Sequence, residues 1–420
     1  MHSVLILFVW YASFVYYIEA NVQAQIMVLL VLLAGCAYTE KGRLELRAGK
    51  FYWMLIPLVV TCSVLLKNPV TGYLGISIVF IMTFLLIGFL DPVIRDVPVI
   101  QIIEKNIALV IAGSILLEAF VPPLFGNTIV PLFEHIYGDS SVVPASFASG
   151  RYFGLGKEAG EVCGWLIMGF FAIVSRWESY NRYQKLKYLI YCVMILAAVN
   201  IAGKRSHLLF GLLTVAWVSI CDMQITRKKF FCFLSGVAAI VLLMAGISTK
   251  VWSGTSALSR MVSLLQNASA DQSMLERMDL WKAASGYFLE HPLIGVGYGN
   301  FHTLEGSLNY DVHNVYLQVL TEMGLSGFVC IFSVVSWNYV RLLRKKRRVA
   351  ADKDRKEYRM SVGFCLQVIT FNLLYYLTEN ALYTPGYYML FFLLLSVRDG
   401  ENRHYEYRKQ AEKVFLQHSG

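Results

Sequence analysis

The chain has 420 residues, 57% hydrophobic and only 15% charged, with a net charge of +9 and a mean hydropathy of +0.54. Soluble globular domains carry about 25% charged residues, so this composition argues against a water-soluble protein. It points instead to repeated membrane crossings, each needing roughly 20 apolar residues.

In chain order, the apolar runs predict an all-α, polytopic integral membrane protein with about twelve transmembrane helices in a single membrane domain, residues 1–420. The expected spans are 3–18, 22–38, 51–66, 72–90, 101–120, 159–175, 188–203, 206–221, 230–247, 314–340, 360–379 and 384–397. The first lacks a basic leader region and a small-residue cleavage site, so it is read as a retained helix. The helix beginning near His313 is longer than one crossing needs; it is expected to start outside the membrane and bend at Gly324 or Gly327. The 25 Tyr and 26 Phe fit aromatic belts at two interfaces.

Basic residues set the orientation, because cytoplasmic connections are enriched in Lys and Arg. Starting from an internal N-terminus, alternate connections hold 28 of the 37 Lys and Arg residues, ten of them in 341–359. The opposite connections hold the other nine: Lys67, Arg151, Lys157, Lys204, Arg205, Lys250, Arg260, Arg277 and Lys282. Both termini are therefore expected in the cytoplasm, with two long extracytoplasmic loops at 121–158 and 248–311. The run at 341–359 reads as a juxtamembrane basic loop touching anionic lipid, not as a nucleic-acid site. Its Asp352-Lys353-Asp354 imitates a metal-binding DxD on the wrong side for external chemistry.

The eight cysteines lie in or at the edges of apolar spans, so they read as small buried hydrophobes instead of a disulfide or metal framework.

The second outer loop is the most informative region. Ser273 followed by Glu276 is a capping-box pattern, predicting a helix from there to about Glu290, stopped by His291-Pro292. Arg277, Trp281, Ala284 and Phe288 share one face of it. The glycines of Gly295-Val296-Gly297-Tyr298-Gly299 have the wrong spacing for a dinucleotide fingerprint; they predict a turn whose backbone approaches a neighbour or ligand closely. His291 reads as a helix-terminal histidine beside the negative end of the helix dipole. His313-Asn314 then opens the next helix at the outer boundary, followed by Glu322-Met323-Gly324 and Gly327. Lys204-Arg205-Ser206-His207 forms a very short outer turn, where ionisable groups at membrane depth are usually functional. In the first outer loop, Gly150-Arg151-Tyr152-Phe153-Gly154 precedes a span.

These motifs resemble the O-antigen polymerase and O-antigen ligase family, the Wzy-type, GT-C-like membrane glycosyltransferases. The resemblance covers the topology, both outer loops and the His-Asn…Glu-Met-Gly-x-x-Gly region; Arg205-Ser206 matches the family's Arg-Ser turn loosely. Gly150–Gly154 is similar to the family's Arg-x-x-Gly element, but Leu155-Gly156-Lys157-Glu158 replaces the usual Pro-Asn.

The resemblance implies transfer of a glycan from an undecaprenyl-diphosphate-linked donor to a sugar hydroxyl, at the outer face of the cytoplasmic (inner) membrane. Arginines can clamp the leaving diphosphate, and neutral imidazole can accept the hydroxyl proton. On this reading Arg205, Arg277 and His313 are catalytic, with His207 and His302 as rival bases. Arg151, Lys204, Trp281, Asn314 and Glu322 bind substrate, and neither a divalent metal nor a cofactor is required. A polymerase of repeat units is the leading expectation, with a chain-length regulator and a flippase as partners besides membrane lipid. An O-antigen ligase acting on lipid A core, a teichoic-acid or protein-glycosylating ligase, and a lipid-linked oligosaccharide flippase are the alternatives. Against the flippase stand the long second loop and the gathering of Arg and His outside the bilayer instead of along a midplane path.

Overall fold

A computed structural model describes residues 1–15, 21–39, 52–67, 71–137, 142–148, 152–221, 257–258, 272–307, 309–349 and 356–398. The expected span 230–247 and Arg151 lie outside the described residues. Among the described residues the only β-feature is an isolated bridge between Val93 and Arg398. The helices are α1 (His2–Phe14), α2 (Val22–Thr39), α3 (Leu55–Lys67), α4 (Thr71–Leu90), α5 (Val97–Phe120), α6 (Pro122–Tyr137) and α7 (Val142–Ala148). They continue as α8 (Ala159–Val174), α9 (Arg182–Ile201), α10 (Arg205–Cys221), α11 (Gln272–Glu290), α12 (Val315–Val349), α13 (Lys356–Tyr375) and α14 (Pro385–Ser396).

Four of the described helical segments are long and apolar enough to cross a membrane: Val22–Thr39, Ile94–Phe120, Arg182–Ile201 and Val315–Arg348. Six shorter apolar helices accompany them. The chain is thus a helical membrane protein. Some limits differ from expectation. The first outer loop contains α6 and α7, because α6 is amphipathic and buries Phe125 against Phe147 with ring centroids 5.6 Å apart. The segment expected to be helical to residue 379 stops at Tyr375, where the amides of Thr378 and Glu379 fold back onto the Tyr375 carbonyl.

Close helix packing supplies the frame. Helices α5, α8 and α9 pack mutually, and a methyl group at Gly169 of α8 would collide with Ala108 of α5. Small residues allow that approach where van der Waals contact replaces the hydrophobic effect. Helix α12 packs on α3, α11 and α13, while α14 packs on α1.

Connections expected on the same side of the membrane meet each other. At one end, Arg176 pairs with Glu357 at 2.7 Å and Arg359 with Glu178 at 2.5 Å, and Arg398 forks onto Asp91. At the other, Lys204, Arg277 and His313 meet around Glu379.

Candidate active site

The site is built on a small outer core. Leu280 and Ala284 of α11 pack with Phe301 and Val312, and Trp281, Tyr287 and Leu317 close around them. Helix α11 begins one residue before the expected Ser273 cap, within the usual uncertainty of helix ends, and ends at Glu290 ahead of Pro292. The stripe expected along it does face inward. Ala284 is fully buried and its carbonyl accepts from the Thr321 hydroxyl at 3.0 Å. Trp281 donates its indole N–H to the Val312 carbonyl at 3.0 Å, fixing the backbone just before His313.

The Gly-rich turn docks onto a break in α12. Gly324 has φ 65° and ψ −169°, so the helix is interrupted there, as expected from the sequence. The break leaves carbonyls and amides without helical partners. The turn supplies them: Val296 and Gly297 donate to the carbonyls of Thr321 and Glu322 at 2.9 and 2.8 Å, and Leu325 and Ser326 donate to Pro292 and Leu293 at 2.8 and 3.1 Å. The backbones approach so closely that a methyl group at Gly295 would strike Glu322, and one at Gly324 would strike Leu293. Glu322 is fully buried; its carboxylate accepts from the amides of Gly299 (2.9 Å) and Phe301 (3.3 Å) and from the Gln318 side chain. Its neighbour across the turn, Tyr298, stacks on Tyr383 with ring centroids 4.9 Å apart.

Three cationic or titratable side chains converge above this base on one carboxylate. Lys204 Nζ lies 3.0 Å and Arg277 Nη2 3.2 Å from Glu379 Oε1, while His313 Nδ1 lies 3.2 Å from Glu379 Oε2. The three come from the α9–α10 turn, from α11 and from the start of α12, and Glu379 comes from the α13–α14 turn. The last two are tied together by the Val315 amide, which donates to the Tyr376 carbonyl at 2.8 Å. Burial alone would raise the Glu379 carboxyl. Lys204, the hydrogen bond from His313 and the charge of Arg277 outweigh it and hold the group well below the usual carboxylate range. An ionised carboxylate only accepts, so His313 Nδ1 is the donor, and in the neutral ring Nε2 carries the lone pair. The His313 side chain is 33% exposed, against 14% for Glu379.

The His313 backbone is left-handed, with φ 52°. That conformation is uncommon outside glycine, although His, Asn and Asp are enriched in it, and such strain persists only where surrounding structure imposes it. Here the Trp281–Val312 bond and the Glu379 contact impose it, together with the Asn314 side chain, which caps α12 by accepting from the Leu317 amide at 3.1 Å.

The remaining expected residues are placed as follows. Arg205, half-buried, is the first residue of α10, directly after Lys204; the contact to Glu379 comes from Lys204. Arg151 lies outside the described residues, but the turn after it is anchored. The Gly154 amide donates to Glu118 at 2.6 Å and the Leu155 amide to Ser114 at 3.1 Å. His207 is fully buried, its ring 4.3 Å from that of Tyr375, so a sugar hydroxyl cannot reach it in this conformation. His302 is half-buried and His291 exposed. Sequence reasoning missed Glu379, because the expected span swallowed it. The available signal was an acidic residue at an apolar helix end, on the same side as the outward Lys and Arg residues.

A cavity of about 670 Å³ is lined mainly by apolar groups that include Trp10, Phe14, Val110, Phe133 and Trp165. Glu161 and Val162, in the first turn of α8, also line it. The adjacent Gly160 faces the cluster: a methyl group there would lie 3.5 Å from Lys204 Nζ. Among the described residues, no group of three or more His, Cys, Asp and Glu side chains is placed to hold a metal ion.

The fold is that of a helical membrane protein, and the site gathers a lysine, an arginine and a histidine around one carboxylate. Residues 190–332 match the Wzy_C family, described as O-antigen ligase, and this match supports membership of the O-antigen ligase/polymerase family. The match contains Lys204, Arg205, Arg277 and His313; Glu379 lies beyond it. Among curated proteins no match to the chain was found.

Proposed function

We propose that this protein polymerises glycan repeat units carried on a polyprenyl diphosphate, at the outer face of the cytoplasmic membrane, with twelve spans and both termini inside. The observation that carries the reading is the convergence of Lys204, Arg277 and His313 on Glu379. Cations beside a base suit a reaction whose leaving group is a diphosphate and whose nucleophile is a hydroxyl. His313 Nε2 takes the proton of the acceptor hydroxyl, whose oxygen forms the new bond to the anomeric carbon. The bond from that carbon to the diphosphate oxygen breaks, and the diphosphate leaves with the electron pair. Arg277, Lys204 and Arg205 stabilise the charge gathering on it. No metal enters this scheme.

Trp281, Asn314 and Glu322 contribute by holding the His313 loop and the glycine turn, and Arg151 is a further candidate for binding the anionic substrate. The apolar cavity fits the branched hydrocarbon of the donor, its diphosphate next to Lys204. A chain-length regulator and a flippase are the expected partners. The second reading is an O-antigen ligase, favoured by the description of the matched family; it differs only in the acceptor.

The test is reconstitution of the purified protein in vesicles with an undecaprenyl-diphosphate-linked repeat unit, with and without lipid A core. A ladder of longer lipid-linked glycans indicates the polymerase. Glycan appearing only on lipid A core indicates the ligase. Movement of the intact donor across the bilayer without transfer would overturn both.

A further inference from the structure

The internal partner of the cations invites a more specific assignment. In this structure a single carboxylate occupies the position between Lys204 and Arg277 where an anionic group of a substrate would bind, and it also meets His313. We propose, building on the transferase reading above, that Glu379 is a positioning residue with two separable tasks: it orients His313 for base catalysis, and it holds Lys204 and Arg277 in place until the donor diphosphate takes them over.

The two oxygens already divide the tasks. Oε1 receives both Lys204 and Arg277, and Oε2 receives His313. A diphosphate arriving at the cations competes with Oε1 alone, so the His313 contact survives donor binding. Lys and Arg lose considerable rotamer freedom when fixed; an internal anion that has already fixed them leaves less ordering for the donor to impose. The same anion weakens donor binding by electrostatic competition, so its removal tightens binding while it harms catalysis. For His313 the carboxylate matters chemically. It accepts from Nδ1 and so leaves Nε2 unprotonated in the neutral ring, and it stabilises the imidazolium formed when Nε2 takes the hydroxyl proton. A glutamine there can donate to Nδ1 instead, which selects the opposite tautomer and blocks Nε2.

The prediction is a split between kcat and KM. Glu379→Gln should lower kcat for transfer by about 10²–10⁴-fold, the range spanned by general-base catalysis and by loss of the orienting carboxylate in comparable constellations. Its KM and Kd for the lipid-linked donor should stay level or fall. Glu379→Asp keeps the charge and should recover most of kcat. The assay uses the full-length protein in nanodiscs with an undecaprenyl-diphosphate-linked repeat unit. Donor binding is followed by tritiated donor and transfer by product length.

If Glu379→Gln turns over at the parent rate, or if its kcat falls while donor binding weakens in step, the assignment is wrong and the residue only holds the fold. The same follows if Glu379→Asp is no better than Glu379→Gln. If the parent protein binds this donor without transferring its glycan, the transferase reading itself fails, which the parent measurement alone reveals.

Discussion

The junction between the glycine turn and the break in α12 allows a quantitative test of how the site is held. Gly324→Ala places a methyl group against the backbone of Leu293, at a residue whose φ is 65°. An alanine held at this φ and ψ, a region that is essentially glycine's own, costs about 1–3 kcal/mol, and no rotamer change relieves a collision with backbone. The turn must therefore back away, giving up four backbone hydrogen bonds: Val296 to Thr321, Gly297 to Glu322, Leu325 to Pro292 and Ser326 to Leu293. At a net value of about 1 kcal/mol each, local docking weakens by about 4 kcal/mol. Because every 1.4 kcal/mol is about tenfold, hydrogen exchange at the Val296 and Gly297 amides should accelerate by roughly 10³-fold. Transfer should fall with it, although Arg277 and His313 are untouched. Gly306→Ala is the control. It too has a positive φ (80°), but the added methyl would meet only the Ala283 methyl, at 3.3 Å, so its cost stays near 1–2 kcal/mol and the Val296 and Gly297 amides keep their protection. Equal behaviour of the two variants would refute the claim that close backbone contact at Gly324 holds the site together.

Three further outcomes are expected. Arg277→Lys keeps the charge but loses the planar fork; with charge-assisted hydrogen bonds worth about 1.5–3 kcal/mol, transfer should drop by about tenfold or more while the protein still accumulates, and full activity would reduce Arg277 to a packing role. The depressed Glu379 carboxyl contributes stability that is complete above the unfolded glutamate value of about 4.3 and is lost as pH falls toward the folded value. The melting-temperature gap between parent and Glu379→Gln should therefore be constant from pH 6 to 8 and shrink at pH 3.5; a gap that widens in acid would contradict the pairing. A reporter active only outside the cytoplasm should be active after Gln266 and silent after Asp354, and the reverse at either site would overturn the orientation.

Much of the architecture was legible because a bilayer forces simple patterns. Long apolar runs mark the helices. The bend at Gly324 and the stop before Pro292 followed from backbone chemistry alone, as did the inward stripe of α11. The glycine turn was read as a close approach, but its partner, a helix broken 25 residues after Gly299, could not be read from local sequence. Glu379 was hidden for a related reason. Its role comes from three segments 66, 102 and 175 residues away, and a hydropathy reading assigns such a residue to the end of a span. The burial of His207 depends likewise on the neighbouring face of α13.

The central claim is that His313 Nε2 accepts the proton of the attacking hydroxyl. It is tested most directly by single-turnover transfer with purified protein saturated with lipid-linked donor, comparing the parent with His313→Asn. Asparagine tolerates the left-handed backbone at this position but cannot act as the base, which separates chemistry from backbone strain. The account predicts a rate about 10²–10⁴-fold below the parent's with donor affinity retained. A His313→Asn protein that transfers at close to the parent rate would contradict it and place the base elsewhere.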